Sequence, residues 1–479
     1  MDSASIRRAA IAAALLASPA ACNAVSGIEG LAFDLGSGGG GGGARPDDPG
    51  TLGFVGHIGG DGAQAVRAAA VGPTGDLVLG GSFEGTIDLG GGPIQSAGGA
   101  DVFLARLGPW GNHLWSRRFG SRSGMTQAVH DLALAADGAI VAVGVFDGEI
   151  GFGGDALAAA GGSNVDVFVA KLDAAGDHVW SKRFGDGTNQ YAAGVAVGPD
   201  GGVVVVGAFE GTVDFGGGPL TSAGDVDAFV VKLDAAGDHV WSKRFGAAGP
   251  QYARDVAFDT AGRAVVVGDF EGSVDLGGGG LASAGDRDVF VVALDAAGDH
   301  AWSRRFGDTK RQLGKSVAAD PRGGVWIASD FRGAIDFGGG PLASLGDLDV
   351  AIASLDAGGA HLFSARFGDD QPQSEPRVVV DAAGEVTLSA TFAGVVDLGG
   401  GVLAAGEGLG LFVAKLDATG AHRWSRAWQG AGVLDGLALA ASPDRRIVVG
   451  GQFTGSADFG RGAVKATQGS DAFVAIVGP

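Results

Sequence analysis

A chain of 479 residues with 46% hydrophobic content can bury a large core, and its 93 glycines far exceed ordinary usage. The formal net charge of −21 argues against a nucleic-acid partner, which needs a basic face, and against docking on an anionic lipid surface. A single cysteine, Cys22, excludes internal disulfides and a cysteine-rich zinc site.

Residues 1–21 read as an export signal. Arg7 and Arg8 give a basic start, residues 9–17 a short apolar run, and residues 18–21 a small-residue cleavage stretch. The run is too short to span a bilayer as a helix. Cys22 stands where bacterial lipoprotein signals carry their lipidated residue, although Pro19 occupies the place where such signals carry Leu. Lipid anchoring through Cys22 is the expectation, with ordinary secretion as the alternative. Residues 22–50 include SGGGGGG (37–43) and ARPDDPG (44–50), a Gly-rich flexible tether.

From residue 51 the chain is periodic. The stretch 227–246, DAFVVKLDAAGDHVWSKRFG, recurs nearly whole six times, beginning at Asp101, Asp166, Asp227, Asp288, Asp349 and Gly410. Its first half returns at Asp471. The first gap is 65 residues and every later gap is 61. A fixed period of this size marks a repeat architecture whose stacked units share one body.

Within one unit, residues 195–197 (VAV) predict a short first strand and 199–202 (PDGG) a turn. Residues 203–209 (VVVVGAF) are a β-branched run suited to a strand buried on both faces. Residues 213–215 form a brief extended piece that GGGP (216–219) breaks. A third strand follows at 228–233, then a tight turn, DAAG (234–237), with Gly at the left-handed place. The fourth strand, 239–245 (HVWSKRF), puts Trp241 and Phe245 on one face. Four short antiparallel strands per unit, joined by Gly-rich turns, describe a propeller blade.

The second-strand phenylalanine occurs seven times, as Phe83, Phe146, Phe209, Phe270, Phe331, Phe392 and Phe453. Residues 52–59 (LGFVGHIG) align with 178–185 (HVWSKRFG) and form an orphan fourth strand, while 471–477 form an orphan third strand. Each lacks what the other supplies. The expected fold is all-β: a seven-bladed β-propeller of four-stranded antiparallel blades over 51–479, closed by pairing the N- and C-terminal strands in one blade. Closure removes the open edges that template aggregation.

DVFVAKLDAAGDHVWSKRFG (166–185), followed by VAVGPDGGVVVVGAF (195–209), resembles the bacterial seven-bladed β-propeller repeat (SBBP) family. The resemblance implies a propeller of secreted or cell-surface bacterial proteins. It implies no defined activity and carries over no catalytic residues. The unit with Phe363 at the Trp241-equivalent place and Ala351 at the Phe229-equivalent place departs most.

Function is sought first at recurring polar positions. Gln64, Gln127, Gln190, Gln251, Gln312 and Gln373 sit ahead of the first strand, and Leu434 breaks the series. They are expected to ring one channel mouth, there to cap loop backbone between neighbouring blades or, as the candidate ligand-binding set, to form an amide surface for sugar hydroxyls. Asp225/Asp227, Asp286/Asp288 and Asp347/Asp349 pair at i, i+2 and are candidate ligands for calcium, the one cofactor the sequence suggests. Their alternative reading is turn residues, as it is for Asp88, Asp214, Asp275, Asp336, Asp397 and Asp458. Arg118, Arg183, Arg244, Arg305 and Arg366 suit structural pairs on the outer wall. His178, His239, His300, His361 and His422, one per unit, lie too far apart to share a metal. The largest departure from the repeat is DTKRQLGK (308–315) with Arg322, Trp326, Asp330 and Arg332 in blade five. No GxSxG, HExxH, P-loop or Cys–His arrangement occurs.

The sequence thus reads as a monomeric, non-catalytic binding or scaffold module, either a cell-envelope lipoprotein or secreted. Its partner would be a protein or glycan, not nucleic acid, and it would reach a membrane only through its lipid. A polysaccharide-active enzyme with a site at the channel mouth or blade five is one alternative. A calcium-stabilised structural envelope protein is another.

Overall fold

The computed structural model describes residues 48–121, 126–162 and 164–479. The chain divides into two compact units, Met1–Leu31 and Ala32–Pro479, and the described residues all belong to the second. The export signal, Cys22 and nearly all of the tether lie outside the described residues.

The described residues form seven antiparallel blades of four strands and no helix; six are separate four-stranded sheets, and the fourth strand of the sixth blade runs on to pair with Ser456–Asp458. Blade one comprises Gln64–Val71, Leu77–Phe83, Asp101–Leu107 and His113–Phe119. Blades two to six begin at Gln127, Gln190, Gln251, Gln312 and Gln373 and repeat its order. Blade seven is assembled from both ends: Leu434–Ala441, Ile447–Phe453, Asp471–Val477 and, as its fourth strand, Leu52–Ile58. Leu52 pairs with Val477 and Ile58 with Ala472, as the alignment of the orphan strands predicts. His57 takes the place that Arg holds in blades one to five, its Nε2 lying 2.7 Å from Asp471 Oδ2. Each first strand packs against the next, and that of blade seven returns to blade one, so the ring closes.

The register gives every blade two distinct edges. Gln64 pairs with Phe83, Phe83 with Asp101, and Val102 with Phe119, which gathers these residues at one edge, the glutamine edge. The opposite, turn edge carries the DAAG hairpins. In blade three Gly237 donates to Asp234 O with φ of +84°, a conformation that strongly favours glycine. Asp234 Oδ1 accepts from the amides of Ala236 and Asp238, fixing the turn.

The core lies between blades. Val204 and Val206 of blade three pack with Val266, Phe270 and Phe290 of blade four, and the same layer recurs around the ring. Leu79 and Phe103 of blade one meet Val448, Val474 and Ile476 of blade seven across the closure. The second-strand runs, such as Val203–Phe209, are buried throughout because neighbouring blades cover both faces.

Two details differ from the sequence reading. First, the first strand of blade three is Gln190–Val197, longer than the three-residue VAV segment. A bulge between Ala192 and Gly194 breaks the alternation and hides its beginning. Second, the extended piece after the second strand is half of a small side hairpin, Thr212–Asp214 with Pro219–Thr221. It wedges between fourth strands: Phe215 packs 5.0 Å from Phe184 of blade two, while Gly217 lies against the His239 ring of its own blade.

Candidate functional site

The recurring polar residues prove to be fasteners. All six glutamines are buried, so they do not present an amide ring to a ligand. Gln312 Nε2 donates to Arg332 O at 2.8 Å, and its Oε1 accepts from the Asp308 amide at 3.1 Å. Gln190, Gln251 and Gln373 make the same two kinds of bond. The physical reason is that the loop entering each blade carries backbone groups that need partners once buried.

The paired aspartates separate in the same way. Asp227, Asp288 and Asp349 are fully buried, while Asp225, Asp286 and Asp347 are exposed, so the two carboxylates of a pair do not converge. Asp227 Oδ2 takes the Ala223 amide at 2.9 Å and Arg244 Nη1 at 2.7 Å. The arginine series therefore pairs with buried acids, unlike the surface pairs that the sequence suggests. Asp347 instead pairs with Arg332 at 2.6 Å. Asp214 Oδ1 caps the amides of Gly216 and Gly218, and its counterparts do likewise. The histidines bond a serine three residues on, as His239 Nε2 does with Ser242 Oγ at 3.1 Å, and His113 joins their series.

Blade five's departures also resolve into packing. The Trp indole of blades one to four donates to an Ala carbonyl in the next blade's turn, as Trp241 does to Ala296 O at 3.1 Å. Phe363 has no N–H to offer. Arg322 Nη2 donates to the equivalent Ala418 O at 2.8 Å, as Arg106, Lys171 and Arg263 do beside the indole in blades one, two and four. Trp326 is fully buried 5.6 Å from the Phe363 ring, with its Nε1 donating to Asp320.

What remains is the channel wall. In six blades the first-strand bulge leaves unpaired the residue three after the glutamine or its equivalent: Arg67, His130, Ala193, Arg254, Lys315 and Leu437. Blade six has a longer bulge at Glu375-Pro376, with Glu375 at φ +53°, a strained backbone for a non-glycine residue. Bulges re-aim side chains and concentrate beside functional sites. Here a repeated backbone device carries side chains that do not repeat.

The first strands pack side by side around the ring axis, and charges beside the bulges act on one another across separate blades. Asp255 of blade four and Arg377 of blade six both act on Asp131 of blade two. Burial, reinforced by Asp255, pushes the Asp131 carboxyl up to about 7, although the amides of Val195 and Leu132 and Arg377 oppose this. Burial pushes His130 down to about 4, helped by Arg67. The His130 Nδ1–H donates to Ala192 O at 2.7 Å, the carbonyl fixing that tautomer. Asp131 and Asp255 also brace the ring: their carboxylates accept the amides of Val195 and Val317 in the following blades, at 2.8 and 2.9 Å.

Toward the glutamine edge the wall becomes a mouth of mixed chemistry on blades three to six. The chain has two tyrosines, Tyr191 and Tyr252, and both occupy the residue after the glutamine in adjacent blades. Arg254 and Arg287 each hold a guanidinium 4.7 Å from the Tyr252 ring centroid, and both reach buried Asp269, at 2.7 and 3.4 Å. Lys315 lies 3.4 Å from Asp330 and 2.6 Å from Glu375. The sequence does signal this site, but as a failure of the period at the third residue after each glutamine.

The chain matches no family model. An uncharacterized WD repeat-containing protein of Acanthamoeba polyphaga mimivirus is 27% identical over 116 residues, 22% of this chain and 8% of that protein. The chain therefore aligns with a small fraction of that relative's length. Among solved structures, Sqt1 from Chaetomium thermophilum gives a TM-score of 0.44 at 13% identity, covering 90% of this chain and 99% of that one. A Dyadobacter fermentans protein of unknown function gives 0.41 at 11%, covering 90% and 98%. The Neurospora crassa Pan2 WD40 domain gives 0.40 at 9%, covering 87% and 89%. At these identities and scores the likenesses carry no functional argument.

Proposed function

We propose that this chain is a non-catalytic binding or scaffold module, exported or held at the cell surface, that engages a protein or glycan at the glutamine-edge mouth of its channel. The observation that carries the reading is the contrast between a repeating frame and a non-repeating mouth on blades three to six. Aromatic faces beside guanidiniums and carboxylates suit glycan hydroxyls and peptide groups alike. Rigid strands position these groups without a loop rearrangement. Export rests on the residue pattern of 1–22 and on the resemblance to the SBBP repeat.

The acids of the channel support a non-catalytic role. Asp269 and Asp330 are engaged by cations, and Asp131 and Asp255 by backbone amides, so each already has a structural task. Glycan and peptide arrays probed with the full chain test the reading. Ligands of the wild type should be lost by a Tyr191→Ala/Tyr252→Ala double variant and kept by a rim control, Leu114→Ser. Unchanged binding by the double variant would remove the mouth from consideration.

A further inference from the structure

Three blades carry a cation at the bulge, and comparing them isolates an imbalance. In each, the residue after the glutamine pairs with the residue before the second-strand phenylalanine: Ala65 with Ser82, Tyr252 with Asp269, Leu313 with Asp330. The bulge cation then reaches that partner. Arg254 Nε meets Asp269 at 2.7 Å and Lys315 Nζ meets Asp330 at 3.4 Å. In blade one Arg67 Nε meets only the Ser82 hydroxyl, at 3.3 Å. Two blades supply a carboxylate at this place, and the third supplies a neutral group in a buried position.

Arg67 is not compensated from elsewhere. Among the described residues it enters no ion pair, and its Nη atoms donate to no protein group. Arg377, the other unpaired guanidinium of the channel, stands in the field of Asp131, Asp255 and Glu375. The charged-capable neighbour acting with Arg67 is His130, which adds no negative charge. Burial alone lowers the Arg67 guanidinium from its usual value. Arg67 is half-buried, so part of its guanidinium still faces the channel, and an anion arriving there gains a charge-assisted bond that no protein carboxylate supplies.

We infer that the channel holds a binding site for one carboxylate group of a ligand, with Arg67 as its cation and Ser82 and His130 as neutral walls. The group would occupy the place that Asp269 fills in blade four. A carboxylate is the group that blades four and five place there, at Asp269 and Asp330. The inference deepens the reading of the channel as the recognition surface and rests on it. It narrows the partner to one bearing a carboxylate, such as a uronic-acid glycan or an acidic peptide.

Acetate and inorganic phosphate, titrated calorimetrically into the full chain, test this independently of any array result. Acetate should bind saturably, one per chain. Arg67→Gln and Ser82→Asp should each weaken it by about tenfold or more. Ser82→Asp should melt no lower than wild type, because it installs the carboxylate that blades four and five possess, so its lost binding cannot come from misfolding. Absence of saturable acetate binding, or equal binding by Ser82→Asp, would overturn the site. Binding of phosphate without acetate would overturn the carboxylate assignment. Acetate binding alongside arrays whose ligands ignore the mouth variants would leave this site standing and remove the proposed recognition surface.

Discussion

The outer wall and the inner wall of this propeller obey opposite rules. On the outside, HVWSKRF stands unchanged in blades two and three and nearly so in four, and each residue has a fixed task. Trp reaches the next blade's turn, Arg the buried Asp, and Phe the side hairpin. On the inside, the bulge position reads Arg, His, Ala, Arg, Lys, Pro and Leu around the ring. A residue that holds two identical units together must itself be identical. A residue that faces a shared axial space is free of that constraint. Repetition therefore marks what fastens the molecule, and its breakdown marks what can recognise.

The largest expected effect breaks the outer rule at its one discontinuity. Deleting residues 48–58 removes the fourth strand of blade seven and bares Asp471–Val477, a strand buried throughout. The loss should be at least about 5 kcal/mol, the scale of a whole domain's margin. Size-exclusion chromatography should then show aggregate in place of the wild-type peak, and an unchanged peak with an unchanged melting curve would deny the closure.

A smaller effect sharpens the equivalence between blades. Trp241→Phe removes the indole bond to Ala296 O and should cost about 0.5–1.5 kcal/mol by urea unfolding. Arg322→Ala should cost at least as much, because Arg322 is the side-chain donor to Ala418 O and also pairs with buried Asp320. A neutral Arg322→Ala would mean that blade five does without the stitch.

The smallest effect sits on the inner wall and appears as pH dependence. Asp131, raised to about 7, holds its proton more tightly when folded, so its contribution is complete below the ordinary carboxylate range and is lost as pH rises through 7. His130, lowered to about 4, does the reverse: its neutral form is favoured by folding, and stability is lost as pH falls from about 6.5 toward 4. The two slopes oppose each other between about pH 4 and 6.5. Subtracting wild-type stability from that of Asp131→Asn should give a difference that rises with pH, and the same subtraction for His130→Gln one that falls. Parallel curves would place neither group in the axial space.

The fold was legible because packing must repeat. The 61-residue period, the orphan strands and the fourth strand 239–245 all agree with the structure, and His239–Phe245 has the expected bounds. The site was far less so. Gln190 and Asp227 recur because each is buried, which makes recurrence a poor guide to exposure. Arg67, His130 and Asp131 fall in a strand whose bulge erases the alternating pattern, and nothing local ties them to Arg377, which follows the first of them by 310 residues. Only the closed ring brings their charges within reach of one another.

The seam also gives the ring a direction. Leu52 enters beside Val477 at the turn edge, where Gly50 reaches Gly478 O and Trp424 reaches Pro479 O. Both ends of the folded body thus emerge on the side opposite Tyr191, Tyr252 and Arg287. The glutamine mouth therefore opens on the edge opposite the one at which the two strands of the seam end.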